Sequence, residues 1–206
     1  MTPRRPASSG AGPGLRRAFF LRPTLEVARA LLGRRLVRIE RGHRISGWIV
    51  ETEAYIGERD LGCHAHVGRT PRNDVMWGPP GHAYVYFTYG MHWCLNVVTG
   101  PPGFPAAVLI RALQPVEGLR TIKRRRGEVP EARLVDGPAK LCQALAVDRR
   151  LNGHDLCAPD ARLFIESGRG SPRGQVTVGP RVGLNTVPEP WKSRPWRFRL
   201  IPGDPP

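Results

Sequence analysis

The sequence predicts an α+β domain built on antiparallel strands, and three observations carry that prediction. Three blocks of strand-like patterning occur at 36–55, 83–98 and 106–113, with Gly42 and Gly90 where the chain would double back. Helical patterning precedes and follows these blocks instead of alternating with them, which excludes a βαβ array with its parallel sheet. Gly (24) and Pro (22) are abundant among the 206 residues, favouring short elements and many turns over a helical bundle. The length suits a single domain, and 40% hydrophobic residues suffice for its core.

Taken in order, the chain opens with Arg4, Arg5, Arg16, Arg17 and Arg22, no acids before residue 23, and the low-complexity run Pro6–Gly14. Residues 1–17 are therefore expected to form a mobile basic tail ahead of a domain spanning 18–202, with 203–206 a flexible end. A helix is expected from Thr24, an N-cap after Pro23, with Leu25, Ala28, Leu31 and Leu32 on one face and Gly33 just past its end. The strand blocks follow, then a helix over about 116–126 and another starting at Pro138, a favourable first helical position.

Lys and Arg number 32 against 17 Asp and Glu, a net charge of +15. Such a charge points to a polyanionic partner, nucleic acid first and an anionic membrane surface second. Only three of the basic residues are Lys, so an Arg-rich base composition accounts for part of the excess, and charge alone does not fix a function. No apolar stretch is long enough to cross a bilayer, and Ala18–Leu21 is too short for the core of a signal peptide. Cys63, Cys94, Cys142 and Cys157 form no CxxC pair, which disfavours a zinc finger and fits free thiols in a reducing compartment. An intracellular, cytoplasmic protein is expected.

As a strand, Trp48–Tyr55 places Trp48, Val50, Thr52 and Ala54 on one face and Ile49, Glu51, Glu53 and Tyr55 on the other. A solvated sheet face would explain two carboxylates, but other unusual residues lie nearby. All four tyrosines fall between residues 55 and 89: Tyr84 and Tyr86 share a strand face, and Tyr89 sits beside Gly90 at a hairpin tip. Ordinary β-propensity explains the first two. A ring at a turn tip forfeits its burial, and a wedge that replaces a displaced base would explain it. Arg111 interrupts the apolar run 106–113 and needs a partner, with Glu53 the natural candidate; the two would hold a water or form a structural ion pair. Asp60, Cys63, His64 and His66 offer metal-ligand types, yet their spacing matches no common site.

These residues lie within a longer pattern. Val50–Gly57, Asp60, His64, Thr70–Asn73, Met76–Gly78, Tyr84–Tyr86, Tyr89–Met91, Asn96, Leu109–Pro115, Gly137–Leu145, Arg181–Gly183 and Pro195–Phe198 together resemble the alkylpurine (3-methyladenine) DNA glycosylase family, in order and over about residues 18–200. The resemblance implies a single α+β domain with a barrel-like antiparallel sheet and a basic DNA-binding face. It implies Glu53 as the general base that activates water, with Arg111 helping to hold it. Tyr55, His64 and Tyr86 would stack around a flipped base, and Asn96 would disfavour the exocyclic amino group of guanine. Tyr89 would be the wedge, with Tyr84, Arg69, Arg72 and Lys123 among the DNA contacts. Trp77, where many members have Phe, and a short 64–70 loop leave the contacts of Arg69 and Arg72 open.

The expected function is a DNA repair glycosylase, a monomer that flips alkylated or deaminated purines from duplex DNA and hydrolyses the N-glycosidic bond. It would need neither metal nor cofactor, and it would have no lyase step, because Lys140 is expected on a helix surface. Glu51 is the rival base. A non-catalytic nucleic-acid-binding module and a metal-dependent hydrolase using His64 and His66 are the alternatives. The tail and the run Lys123–Arg126 are expected to touch phosphates without reading sequence.

Overall fold

The structure, a computed structural model, describes residues 14–166 and 174–202. Expectations for residues 1–13 and 203–206 lie outside the described residues. Eight antiparallel strands form one curled sheet: β1 Arg35–Glu40, β2 His43–Ile56, β3 Ala83–Thr88, β4 His92–Val98, β5 Ala106–Glu117, β6 Leu163–Glu166, β7 Gly174–Gly179 and β8 Arg197–Pro202. Their order is β3-β4-β5-β2-β1-β6, with β8 added to β2 and β7 to β8. The α+β, antiparallel architecture is the one the sequence predicts. The helices are α1 Arg17–Phe20, α2 Thr24–Leu31, α3 Leu119–Arg126 and α4 Pro138–Leu145.

Strand β2 organises the sheet. Its first half pairs with β1 and residues Glu51–Glu53 pair with β8, so it changes partner along one edge while β5 runs along the other. The change coincides with two facing irregularities: the β2·β5 register skips Val50 on one strand and Arg111 on the other. Each extra residue kinks its strand and reverses which face the next side chains take. Ile49, expected beside Glu51 and Glu53, is consequently turned into the core and is fully buried. Beyond the kink the expected alternation holds.

One face of the sheet carries the main core. Val85, Leu95, Val97, Val108, Ile110 and Ala54 pack there with Val27 and Leu31 of α2 and Leu141 and Leu145 of α4. The opposite face carries a smaller cluster, in which Tyr84, Met76, Ala65 and Ala107 pack with Tyr55 and Tyr86. Period-two alternation thus sorts each central strand into a core side and a pocket side.

Three boundaries differ from expectation. Order begins before residue 18: Leu15 is buried with its N–H on Ile165 O at 2.8 Å, and Arg17 holds Asp155 at 2.6 Å and Pro80 O at 2.7 Å. Thr24 is the first helical residue rather than the N-cap, and its hydroxyl pairs with that of Thr99 at 3.1 Å. Helix α3 starts at Leu119, because β5 continues to Glu117, whose carboxylate takes bonds from Ser46 and Arg44.

Candidate active site

On the pocket side of the sheet lies a cavity of about 330 Å³. Tyr55 of β2, Tyr84 and Tyr86 of β3, Cys94 and Asn96 of β4, and Ala107, Leu109 and Arg111 of β5 line it from the strands. His64, in a short 3-10 turn at His64–Val67, and Val182–Leu184 close it from the loops.

The walls are aromatic. His64 meets Tyr86 edge-on with ring centres 4.5 Å apart, and Tyr84 lies 5.4 Å from Tyr86. Tyr84 reaches the His64 Nδ1 with its hydroxyl at 2.9 Å. Asn73, buried in the 70–73 motif, pins this loop: its amide donates to His64 O at 2.9 Å and Gly68 O at 3.0 Å, and its oxygen accepts from Thr70 N at 2.7 Å. Burial, reinforced by Arg72 and His66, pushes the His64 pKa down to about 4. The ring is therefore neutral at ordinary pH, and an NMR titration should show no protonation of His64 until the pH nears 4. Protonation near the free imidazole value would contradict the packing.

Glu53 lies behind the wall and is fully buried. Its Oε2 accepts from the Tyr55 hydroxyl at 2.8 Å and Arg111 Nη1 at 3.3 Å, and its Oε1 from Val182 N at 2.7 Å. A carboxylate offers roughly four lone-pair positions, so these three donors leave one unfilled. Burial raises the Glu53 pKa, and Arg111, the Val182 amide and Tyr55 oppose the rise. A raised carboxyl pKa means stability is greatest while the group is protonated and falls as pH rises through its ionisation. Tyr55, held well above its usual value chiefly by burial and then by Glu53, stays protonated and keeps donating.

Glu51 has a different setting. It faces Arg111 Nε at 3.1 Å, Arg199 at 3.6 Å and Arg197 at 3.7 Å, an arginine cluster along the sheet. Arg111 therefore bridges both carboxylates.

The model of the family described as methylpurine-DNA glycosylase matches residues 18–204. The chain belongs to that family. It is 52% identical over 186 residues to a protein of Carboxydothermus hydrogenoformans, covering 90% of this chain and 94% of the relative. A protein of Methanocella arvoryzae is 50% identical over 190 residues, with 90% and 92% covered. One from Anaeromyxobacter dehalogenans is 50% identical over 187 residues, with 90% and 83% covered. Each of the three bears the name "Putative 3-methyladenine DNA glycosylase".

In this glycosylase, Arg111, Tyr55, His64, Tyr86 and Asn96 line one cavity, and Glu53 is bonded to Tyr55 and Arg111 behind them. Asn96 is buried and its amide donates to Tyr84 O at 3.1 Å. Tyr84 is only 1% exposed; it lines the cavity and its hydroxyl meets His64 Nδ1. Tyr89 is 82% exposed at the β3–β4 tip, and it and Gly90 both have positive φ (51° and 66°). That backbone is strained for a non-glycine residue, so the turn holds Tyr89 out against its own preference.

The basic residues divide. Arg69 is exposed, pairs with Asp74 and lies 6.0 Å from the Trp77 ring centre, while Arg72 lies 5.4 Å from the Tyr86 ring centre and bonds Phe87 O at 3.2 Å. Lys123 pairs with Glu131 at 3.0 Å, both well exposed. Arg125 and Arg126, expected on phosphates, are half-buried and have partners within the protein: Arg125 bonds Ala144 O and Glu40, and Arg126 bonds Leu134 O and Gln143. They fasten α3 to its surroundings because the carbonyls and carboxylate there need donors. Lys140 pairs with Asp136 at 2.7 Å.

The proposed metal ligands have other partners. Asp60 is bound to Arg181, His64 to Tyr84, His66 Nδ1 lies 2.7 Å from Cys63 O, and Cys63, its pKa raised by burial to about 12, accepts from Ala65 N. Among the described residues no group of three or more His, Cys, Asp and Glu side chains could hold a metal, and no helix is long and apolar enough to cross a membrane. The residues that sequence reasoning gave no role are Arg181 and the Val182 amide, the former visible only as part of the Arg181–Gly183 motif.

Proposed function

We propose that the protein extrudes a damaged purine from duplex DNA, seats it between Tyr55, His64 and Tyr86, and cleaves its N-glycosidic bond with a water activated by Glu53. The observation that carries this reading is the buried Glu53 carboxylate, held directly behind the wall of an aromatic cavity by three donors from lining residues, with one acceptor position left over. An alkylated purine is cationic, a good leaving group, and is attracted to the faces of electron-rich rings. As its bond to deoxyribose breaks, positive charge develops on the sugar; the Glu53 carboxylate stabilises that charge and takes the water's proton. Arg111 keeps Glu53 ionised and in place. Neutral deaminated purines would use the same cavity, with the leaving base protonated by another group.

A base inside a duplex is out of reach of such a cavity, so the nucleotide has to leave the stack. Tyr89, exposed at the rim of the cavity, fills the gap it leaves. Base–aromatic stacking contributes roughly 1–3 kcal/mol, so Tyr89→Ser is expected to slow single-turnover release from a duplex about 5- to 150-fold. Release from the same strand unpaired should change far less. Equal effects on duplex and single strand would remove the wedge role. The direct test of the reading is chromatography of free base after incubation with methylated duplex DNA: alkylated purines should appear in the supernatant, and their absence would contradict it.

The water route needs no amine nucleophile. No covalent complex with damaged DNA should be trapped by borohydride, and a trapped complex would reveal a lyase step. The protein is proposed to act as a monomer.

A further inference from the structure

The ion pair between Asp60 and Arg181 is buried completely, and nothing in the water-activating role of Glu53 requires it. Both Arg181 terminal nitrogens are committed: Nη1 bonds Asp60 Oδ2 at 2.5 Å and Ala54 O at 3.1 Å, and Nη2 bonds Asp60 Oδ1 at 2.8 Å and Trp191 O at 3.2 Å. Asp60 in turn accepts from Ile56 N at 3.1 Å and Gly62 N at 3.0 Å. The guanidinium lies 4.8 Å from the Tyr55 ring centre and 5.0 Å from that of Trp196. One side chain therefore ties together the end of β2, the loop after it and the segment 181–196. The residue next to Arg181 is Val182, whose N–H reaches Glu53, and the ring it backs belongs to Tyr55, whose hydroxyl also reaches Glu53.

A buried ion pair is a poor device for stability alone, since desolvating two charges offsets their attraction. This pair makes sense as a device for position. Resting on the reading of Glu53 given above, we infer that Arg181, clamped by Asp60, is a positioning residue that sets the Val182 amide and the Tyr55 ring against Glu53 and so places the water-activating carboxylate. It touches neither substrate nor reacting atoms. Lysine cannot replace it, because an ammonium lacks the planar fork that engages both carboxylate oxygens and two carbonyls together.

The test uses the full-length protein, with single-turnover base release from a duplex carrying one alkylated adenine, affinity for a duplex with a tetrahydrofuran abasic analogue, and the pH dependence of the rate. Misplacing catalytic groups by about 1 Å costs on the order of 10²-fold in rate. Arg181→Lys is expected to lose about that factor while analogue affinity stays within about threefold. The charged and titratable groups around Glu53 are Glu51 and Tyr55 on β2, Arg111 on β5, Cys94 on β4, Arg197 on β8 and Arg181 itself. The Val182 amide lowers the Glu53 pKa, so loosening it should move the acid limb of the rate profile to higher pH.

Gly62→Ala gives a second reading without removing a charge. A methyl group there would lie 2.8 Å from Arg181 Nη2 and 2.7 Å from Leu184 Cδ1, so it must push the clamp aside. It should produce the same slower rate and shifted limb, and it decides the matter if Arg181→Lys does not fold. Wild-type rates with an unmoved acid limb in either folded variant would overturn the inference, as would analogue affinity falling in step with the rate. If wild type releases base and Glu53→Gln does not, such a result sinks the clamp alone; if wild type releases none, the clamp falls with the function it serves.

Discussion

Replacing Glu53 with Gln is expected to slow release of damaged purines by about 10²–10⁴-fold, the usual contribution of a positioned general base. Glutamine keeps the size of the side chain and one acceptor oxygen, but it cannot take a proton from water or stabilise a cationic sugar as an anion does. Affinity for a duplex containing an abasic analogue should hardly change, because the cavity walls and Tyr89 are untouched. Single-turnover kinetics beside a binding titration separates these two quantities. The same chemistry fixes the pH behaviour: the rate needs ionised Glu53, whose pKa burial has raised, so the acid limb should lie above the range of an exposed glutamate. Glu51→Gln should cost far less, since Glu51 is surrounded by arginines along the sheet. Reversal of the two results would make Glu51 the base.

Removing Arg111 should also be severe, for a different reason. Its Nη1 is on Glu53 and its Nε on Glu51, so the guanidinium is the charge that lets two nearby carboxylates share one strand face. Arg111→Gln is expected to lower base release about 10²–10³-fold, the scale for losing a preorganised electrostatic contact. Leaving buried carboxylates without their partner also costs about 3–5 kcal/mol of stability, so the kinetics should be measured well below the unfolding transition. The salt dependence of DNA binding should stay almost unchanged, because Arg111 faces carboxylates rather than phosphate. Arg69→Gln should do the opposite: nearly normal release under saturating conditions, and a salt slope smaller by about one. If Arg111→Gln changed the slope and spared the rate, the division between a searching surface and a reacting site would be wrong.

That division was partly legible in the sequence. Period-two alternation is a local property, so the strand blocks, the shared face of Glu53 and Tyr55, and the placement of Tyr84 with Tyr86 could be read directly. The exposed tip at Tyr89 followed from its neighbour Gly90. What escaped depends on pairings distant in sequence. The facing kinks at Val50 and Arg111, which turn Ile49 into the core, arise from the register between two strands and leave no mark in either alone. Asp60 and Arg181 lie 121 positions apart, and Asp60 read as readily as a metal ligand. Charge was the least informative signal: Arg125 and Arg126 look like phosphate contacts in a basic run, yet neighbouring carbonyls and Glu40 claim them. The +15 excess therefore does not count the cations left free to meet DNA.

This cavity is proposed to remove a damaged purine hydrolytically through Glu53. The most direct measurement incubates a duplex oligonucleotide carrying one alkylated adenine, and a second carrying one hypoxanthine, with wild type and Glu53→Gln, then treats each with hot alkali. Wild type should give strand breaks at the lesion only after alkali, and Glu53→Gln should give none at matched times. Intact strands with wild type on both duplexes, despite binding, would contradict the claim and leave a DNA-binding module in its place.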